Sequence, residues 1–144
     1  MSSYQRHFSF LVFLLIGASP VFSSSLDSPV PTQEQSGKVE IVIRNSTYEV
    51  QGGILRPNEA STIVLRNLDK IQHGFNSSLL AELDLQVETD GATVYGKGIK
   101  GVHINPGGTV RLHFIPTQPG RFSFQCDLHP SMKGELLLLS VGAI

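Results

Sequence analysis

Near the C-terminal end of the chain, seven residues hold three side chains able to bind a soft metal ion. Cys126, His129 and Met132 lie in the stretch RFSFQCDLHPSMKGELLLLSV, in a Cys-x2-His-x2-Met pattern. The cysteine is the only one among 144 residues, and the methionine is one of two. A thiolate, an imidazole and a thioether are the soft and intermediate donors that copper accepts. Two histidines and a cysteine in a trigonal plane, with a weak axial methionine, make a blue-copper electron-transfer site. The loop supplies three of those four donors, so a second histidine must come from elsewhere. His73, His103 and His113 are the candidates. His113 falls on the polar face of a strand pattern and reads as a surface residue. His73 follows a strand end, with Gly74 beside it, and His103 precedes a strand.

The elements that must position these residues read as short β-strands. VEIVIRN sets Val39, Ile41 and Ile43 against Glu40, Val42 and Arg44. STIVLRN (61–67) is a second β-branched run. TVRLHFI (109–115) places Val110, Leu112 and Phe114 on one face, with Arg111 and His113 on the other. RFSFQC (121–126) places Phe122, Phe124 and Cys126 on one face, and GELLLLSV (134–141) closes the series. Alternation with period two, punctuated by QGG, RPNE, NPGG and TQPG, is the pattern of an all-β, antiparallel Greek-key sandwich. The only hint of helix is SSLLAELDL (77–85). Cys126 shares a face with two phenylalanines, so its sulfur should point inward at a strand end. His129 and Met132 then lie in a loop that folds back over it.

NLDKIQHG, followed by NPGGTVRLHFIPTQPGRFSFQCDLHPSMKGELLLLSV, resembles the plastocyanin and amicyanin group of the cupredoxins. The likeness runs from about Val39 to Val141. It consists of an Asn-x-Asp strand end, a histidine, a Pro-Gly turn, an aromatic strand ending in Cys, and then His and Met. It implies a cupredoxin-like fold with one type 1 copper ion held by His73, Cys126, His129 and Met132. It also implies a copper protein that carries single electrons between protein redox partners. In that group Asn often follows the first histidine, where it ties the ligand loops together; here the residue is Gly74. The stretch 76–105 is long for the family and reads as an extra hairpin or strand pair. A copper carrier or copper-sensing protein would use the same ligands.

The N-terminal region is of another kind. MSSYQRH carries Arg6 and no acid, and an apolar run from Phe8 to Phe22 precedes three serines. That is the layout of a secretory signal peptide, expected over 1–24. The run is short for a bilayer span and Pro20 interrupts it, so no membrane span is expected after cleavage. Residues 25–37, rich in Ser, Pro and Gln, read as a flexible linker, and 38–144 as the copper-binding domain. Export, to a periplasm or the outside, sharpens the meaning of a lone cysteine. Exported domains use cysteines in disulfide pairs, so an unpaired thiol there calls for an occupant.

A formal net charge of −1 gives no basis for binding nucleic acid. From Lys38 onward the charges balance, which offers no patch for a particular partner, and a monomer is expected. There is no phosphate-binding glycine loop, no His-Glu-x-x-His and no nucleophile elbow, and one cysteine does not serve an oxidase-type binuclear centre. The chain therefore reads as a non-enzyme with no catalytic residues.

Overall fold

The structure, a computed structural model, describes residues 37–140. The expected signal peptide and nearly all of the linker lie outside the described residues. The described chain forms ten strands: β1 (Lys38–Arg44), β2 (Thr47–Gly52), β3 (Ser61–Asn67), β4 (His73–Ser77), β5 (Asp84–Glu88), β6 (Thr93–Lys97), β7 (Gly101–Ile104), β8 (Thr109–Phe114), β9 (Gly120–Gln125) and β10 (Lys133–Leu138). They build two sheets, ordered β2-β1-β3-β8-β5-β6 and β10-β9-β4-β7. The sandwich expected from the alternation is present, with one difference. Strand β1 pairs with β2 antiparallel and with β3 parallel, so the larger sheet is mixed. Strand β2 carries the chain back to the starting end of β1, and residues 53–60 cross to the other side of β1, so β3 begins where β1 began. A crossover of that kind sets neighbouring strands parallel.

Between the sheets lie the residues that alternation turned inward. Ile41 and Ile43 of β1, Ile63 and Leu65 of β3, Leu112 of β8, Phe124 of β9 and Leu138 of β10 are each 0–1% exposed. Burial of each such side chain contributes about 1.5–3 kcal/mol. The helical hint at 77–85 resolves into one turn of 3-10 helix, Ser78–Leu80, whose N–H at Leu79 bonds the Ser77 hydroxyl; β5 follows at once. Segment 76–105 contains the β5–β6 hairpin. Through β5 it extends the larger sheet from β8, while β7 returns to pair with β4.

Phe124 organises the end of the smaller sheet. Its ring meets Tyr48 edge-on, with centroids 5.0 Å apart, and lies 4.9 Å from the Phe75 ring. Gly134, its cross-strand neighbour on β10, leaves the space the ring fills: a Cβ there would fall 2.2 Å from Phe124 Cζ. Gly134→Val should therefore destabilise the fold by about 1–3 kcal/mol through overpacking. Urea denaturation will show this as a lower midpoint with an unchanged slope.

Candidate metal centre

His73 opens strand β4, Cys126 directly follows β9, and His129 lies in the turn before β10. The sequence suggested a loop position for His73; pairing with Ile104 makes it the first residue of a strand. These three residues come together, and one donor atom from each lies within 4.8 Å of the others. His129 Nδ1 is 3.5 Å from Cys126 Sγ, and the two imidazole rings stand 4.7 Å apart. His73 and Cys126 are fully buried and His129 is half-buried. The 126–132 turn is closed by its own backbone. Cys126 N–H donates to the Met132 carbonyl at 3.1 Å, and Met132 N–H to the His129 carbonyl at 2.9 Å. Met132 is 3% exposed and packs with the core.

The approach to His73 is held by Asn67, which has no exposed surface at the end of β3. Its Nδ2 donates to the carbonyls of Ile71 at 2.7 Å, Ile104 at 3.0 Å and Asn105 at 3.1 Å. Its Oδ1 accepts from Asp69 N–H at 3.0 Å. One buried amide thus ties the 68–72 loop to β7. On His73 the two ring nitrogens have different surroundings. Nε2 is 2.9 Å from Asp69 Oδ2, while Nδ1 is buried without a hydrogen-bond partner. A buried polar nitrogen left unpaired is costly. Here it belongs to the residue that shares a cluster with Cys126 and His129, so the donor set fits a metal ion.

Gly74 answers the departure noted in the sequence. Its backbone N–H donates to Cys126 Sγ at 3.1 Å, bonding the sulfur across the ends of β4 and β9. Its missing side chain leaves room for a neighbour, since a Cβ at Gly74 would fall 1.9 Å from Asp127 Oδ1. Asp127 in turn lies 2.8 Å from His103 Nε2. That hydrogen bond is the main reason its carboxyl is held below the usual carboxylate range. His103 therefore stands outside the trio and braces the residue after Cys126. His113 is farther off, on the outer face of β8, with Nδ1 3.0 Å from Thr62 Oγ1 and Nε2 3.4 Å from Glu88.

Two more residues border the centre, Asp69 and Tyr48. The Asp69 carboxyl lies below its ordinary range, chiefly through the Ser46 N–H, with Asn45 and His73 adding. The Tyr48 hydroxyl donates to the Gly74 carbonyl. Burial pushes that phenol's pKa upward, and the neighbouring Cys126 adds to the effect. The Asn-x-Asp pattern drew attention to Asp69, but neither its role nor those of Asp127 and Tyr48 is visible in sequence. Their partners lie on other strands.

The family described as "Cupredoxin-like domain" matches residues 8–138, and the chain belongs to that family. No curated protein matches the chain. Among solved structures, it resembles a multi-copper oxidase from Pseudomonas Thermotolerans at 13% identity and a TM-score of 0.54, covering 85% of this chain and 34% of that one. McoA multicopper oxidase from the hyperthermophile Aquifex aeolicus matches at 13% identity and a TM-score of 0.52, covering 77% and 31%. The reduced Cu(I) form of an amicyanin variant matches at 21% identity and a TM-score of 0.46, covering 72% and 83%. The chain spans about a third of the length of the two oxidases. These likenesses concern the fold, which is shared by proteins of quite different size.

The packing at Gly74 yields a double-mutant test. Gly74→Ala should cost about 1–3 kcal/mol, because a methyl group cannot share the space of the Asp127 carboxylate. Asp127→Ala in the same chain should recover most of that loss. Chemical denaturation of the two single variants and the double variant measures the coupling.

Proposed function

We propose that this chain is a type 1 (blue) copper protein carrying single electrons between protein redox partners. The observation that carries the reading is the buried His73–Cys126–His129 trio, with an unpartnered Nδ1 and a backbone N–H already directed at the sulfur. When bound, copper supplies one-electron chemistry, passing between Cu(II) and Cu(I). Cys126 would provide the thiolate, and His73 and His129 the two imidazole nitrogens. Met132, buried beside the turn it helps close, would provide a weak thioether donor. Buried ligands held by β4, β9 and backbone hydrogen bonds resist rearrangement, which suits a centre whose geometry must serve both oxidation states.

His129 is the ligand nearest water and serves as the electron port. Exposed apolar side chains lie in both ligand-bearing loops: Leu68 and Ile71 before His73, and Leu128 before His129. They give a partner a desolvated surface for brief contact. We take the chain to be a monomer and a carrier rather than an enzyme. Export rests on the apolar N-terminal run, and in an exported chain a lone thiol is one that a metal would occupy.

Adding Cu(II) to the purified protein should produce the intense visible charge-transfer band of a copper thiolate. Cys126→Ser should abolish it, and His73→Ala should remove or deeply alter it. His103→Ala should leave it nearly unchanged. A band that survives Cys126→Ser would overturn the assignment, and ready loss of Cu(I) to a competing protein would favour a copper carrier.

Met132→Leu separates an axial ligand from a core filler. The variant should stay blue and bind copper, with a higher reduction potential, because a lower-coordinate, more apolar site favours Cu(I) over the more highly charged Cu(II). Voltammetry with a melting curve on the same variant checks this. A large loss of stability with an unchanged potential would leave Met132 as packing alone.

A further inference from the structure

Strands β1 and β2 are joined by a two-residue turn, Asn45–Ser46, since Arg44 pairs with Thr47. Both turn residues lie in the left-handed region, at φ 52° and 55°. A turn of this kind favours Asn followed by Gly; a serine with a Cβ in the second place is disfavoured. The turn's backbone shows what the serine-bearing geometry achieves. Asn45 N–H donates to Asp69 Oδ1 at 2.7 Å, and Ser46 N–H donates to Asp69 Oδ2 at 2.8 Å. The same Oδ2 lies 2.9 Å from His73 Nε2. The carboxylate is thus gripped through both oxygens by a turn more than twenty residues earlier in the chain, and it engages Nε2 of His73, leaving Nδ1 as the ring nitrogen without a partner.

We propose that the Asn45–Ser46 turn is a positioning element of the metal centre, holding Asp69 so that neutral His73 keeps its proton on Nε2 and offers Nδ1 to the metal. The inference rests on the copper reading for its purpose but not for its geometry. Asp69 accepts only, so the imidazole must donate to it. The two turn N–H groups fix the carboxylate's orientation, and with it the ring's. Neither turn residue touches the metal, and the effect passes entirely through Asp69. A turn serving only to join two strands would have no need of a shared acceptor on another loop.

The test uses metal-free protein labelled with 15N at histidine, in which two-bond nitrogen–proton spectra report each tautomer. The wild-type chain should show His73 with a slowly exchanging proton on Nε2. Inserting two glycines between Asn45 and Ser46 withdraws the paired N–H groups from Asp69. Asp69→Asn places an amide that can donate to Nε2. Both changes should shift the proton of His73 toward Nδ1 and weaken Cu(II) binding about 10- to 100-fold, the range for loss of a partner behind a ligand. Ser46→Gly keeps the N–H and relieves the turn, so tautomer and affinity should stay as in wild type while thermal stability rises. Retention of the Nε2 proton and wild-type affinity in the lengthened turn would overturn the inference, and so would a scrambled tautomer in Ser46→Gly. If the wild-type chain takes up no copper, the functional reading fails, while the tautomer spectra still decide whether the turn holds the ring.

Discussion

One hydrogen bond joins the parts of this molecule that matter for its chemistry: Gly74 N–H to Cys126 Sγ, at 3.1 Å. It can form only where the start of β4 meets the end of β9, and those strands meet only because both belong to the smaller sheet. A sulfur with no exposed surface needs an electrostatic partner if it is to serve as a thiolate. The backbone supplies one without adding a side chain to a crowded place. Glycine at position 74 is a condition of that arrangement, because Asp127 fills the volume a Cβ would need.

The same economy governs the rest of the centre. Each buried polar group there is matched by backbone or by one well-placed side chain: Asn67 by three carbonyls, His73 Nε2 by Asp69, and the Gly74 carbonyl by Tyr48. His73 Nδ1 is the exception, and it belongs to a member of the cluster. Among the described residues one other buried nitrogen lacks a hydrogen bond, His113 Nε2, but it lies 3.4 Å from the Glu88 carboxylate and away from the trio, so the open nitrogen on His73 is the one that fits a metal. Around this polar layer, Phe75, Phe124, Met132 and Tyr48 form an apolar wall continuous with the core. That wall limits water and ties the geometry of the ligands to the stability of the sandwich.

Much of this was legible in the residues. Strands β1, β3, β8, β9 and β10 follow from alternation, because one face of each is buried against the opposite sheet. The Cys-x2-His-x2-Met loop is local, so its spacing alone brings its members together. The strands that were not legible lack such a contrast. All of β6 is exposed, β2 is mostly exposed, and β4 carries His73, Asn76 and Ser77 in a smaller sheet whose partners decide what is buried. The roles of Asp69, Asp127 and Tyr48 depend on contacts with other strands and loops, and His103, a ligand candidate in the sequence, bonds Asp127 and is not part of the His73–Cys126–His129 cluster. Pattern reveals a face; pairing reveals a neighbour.

The central claim is that a single copper ion is bound by the sulfur of Cys126 together with two imidazoles. X-ray absorption at the copper edge of the stoichiometrically loaded protein tests it most directly, because scattering identifies the ligand atoms around the metal. The spectrum should require one short copper–sulfur path and two copper–nitrogen paths from imidazole rings. A first shell fitted by nitrogen and oxygen alone, with no short sulfur path, would contradict the account.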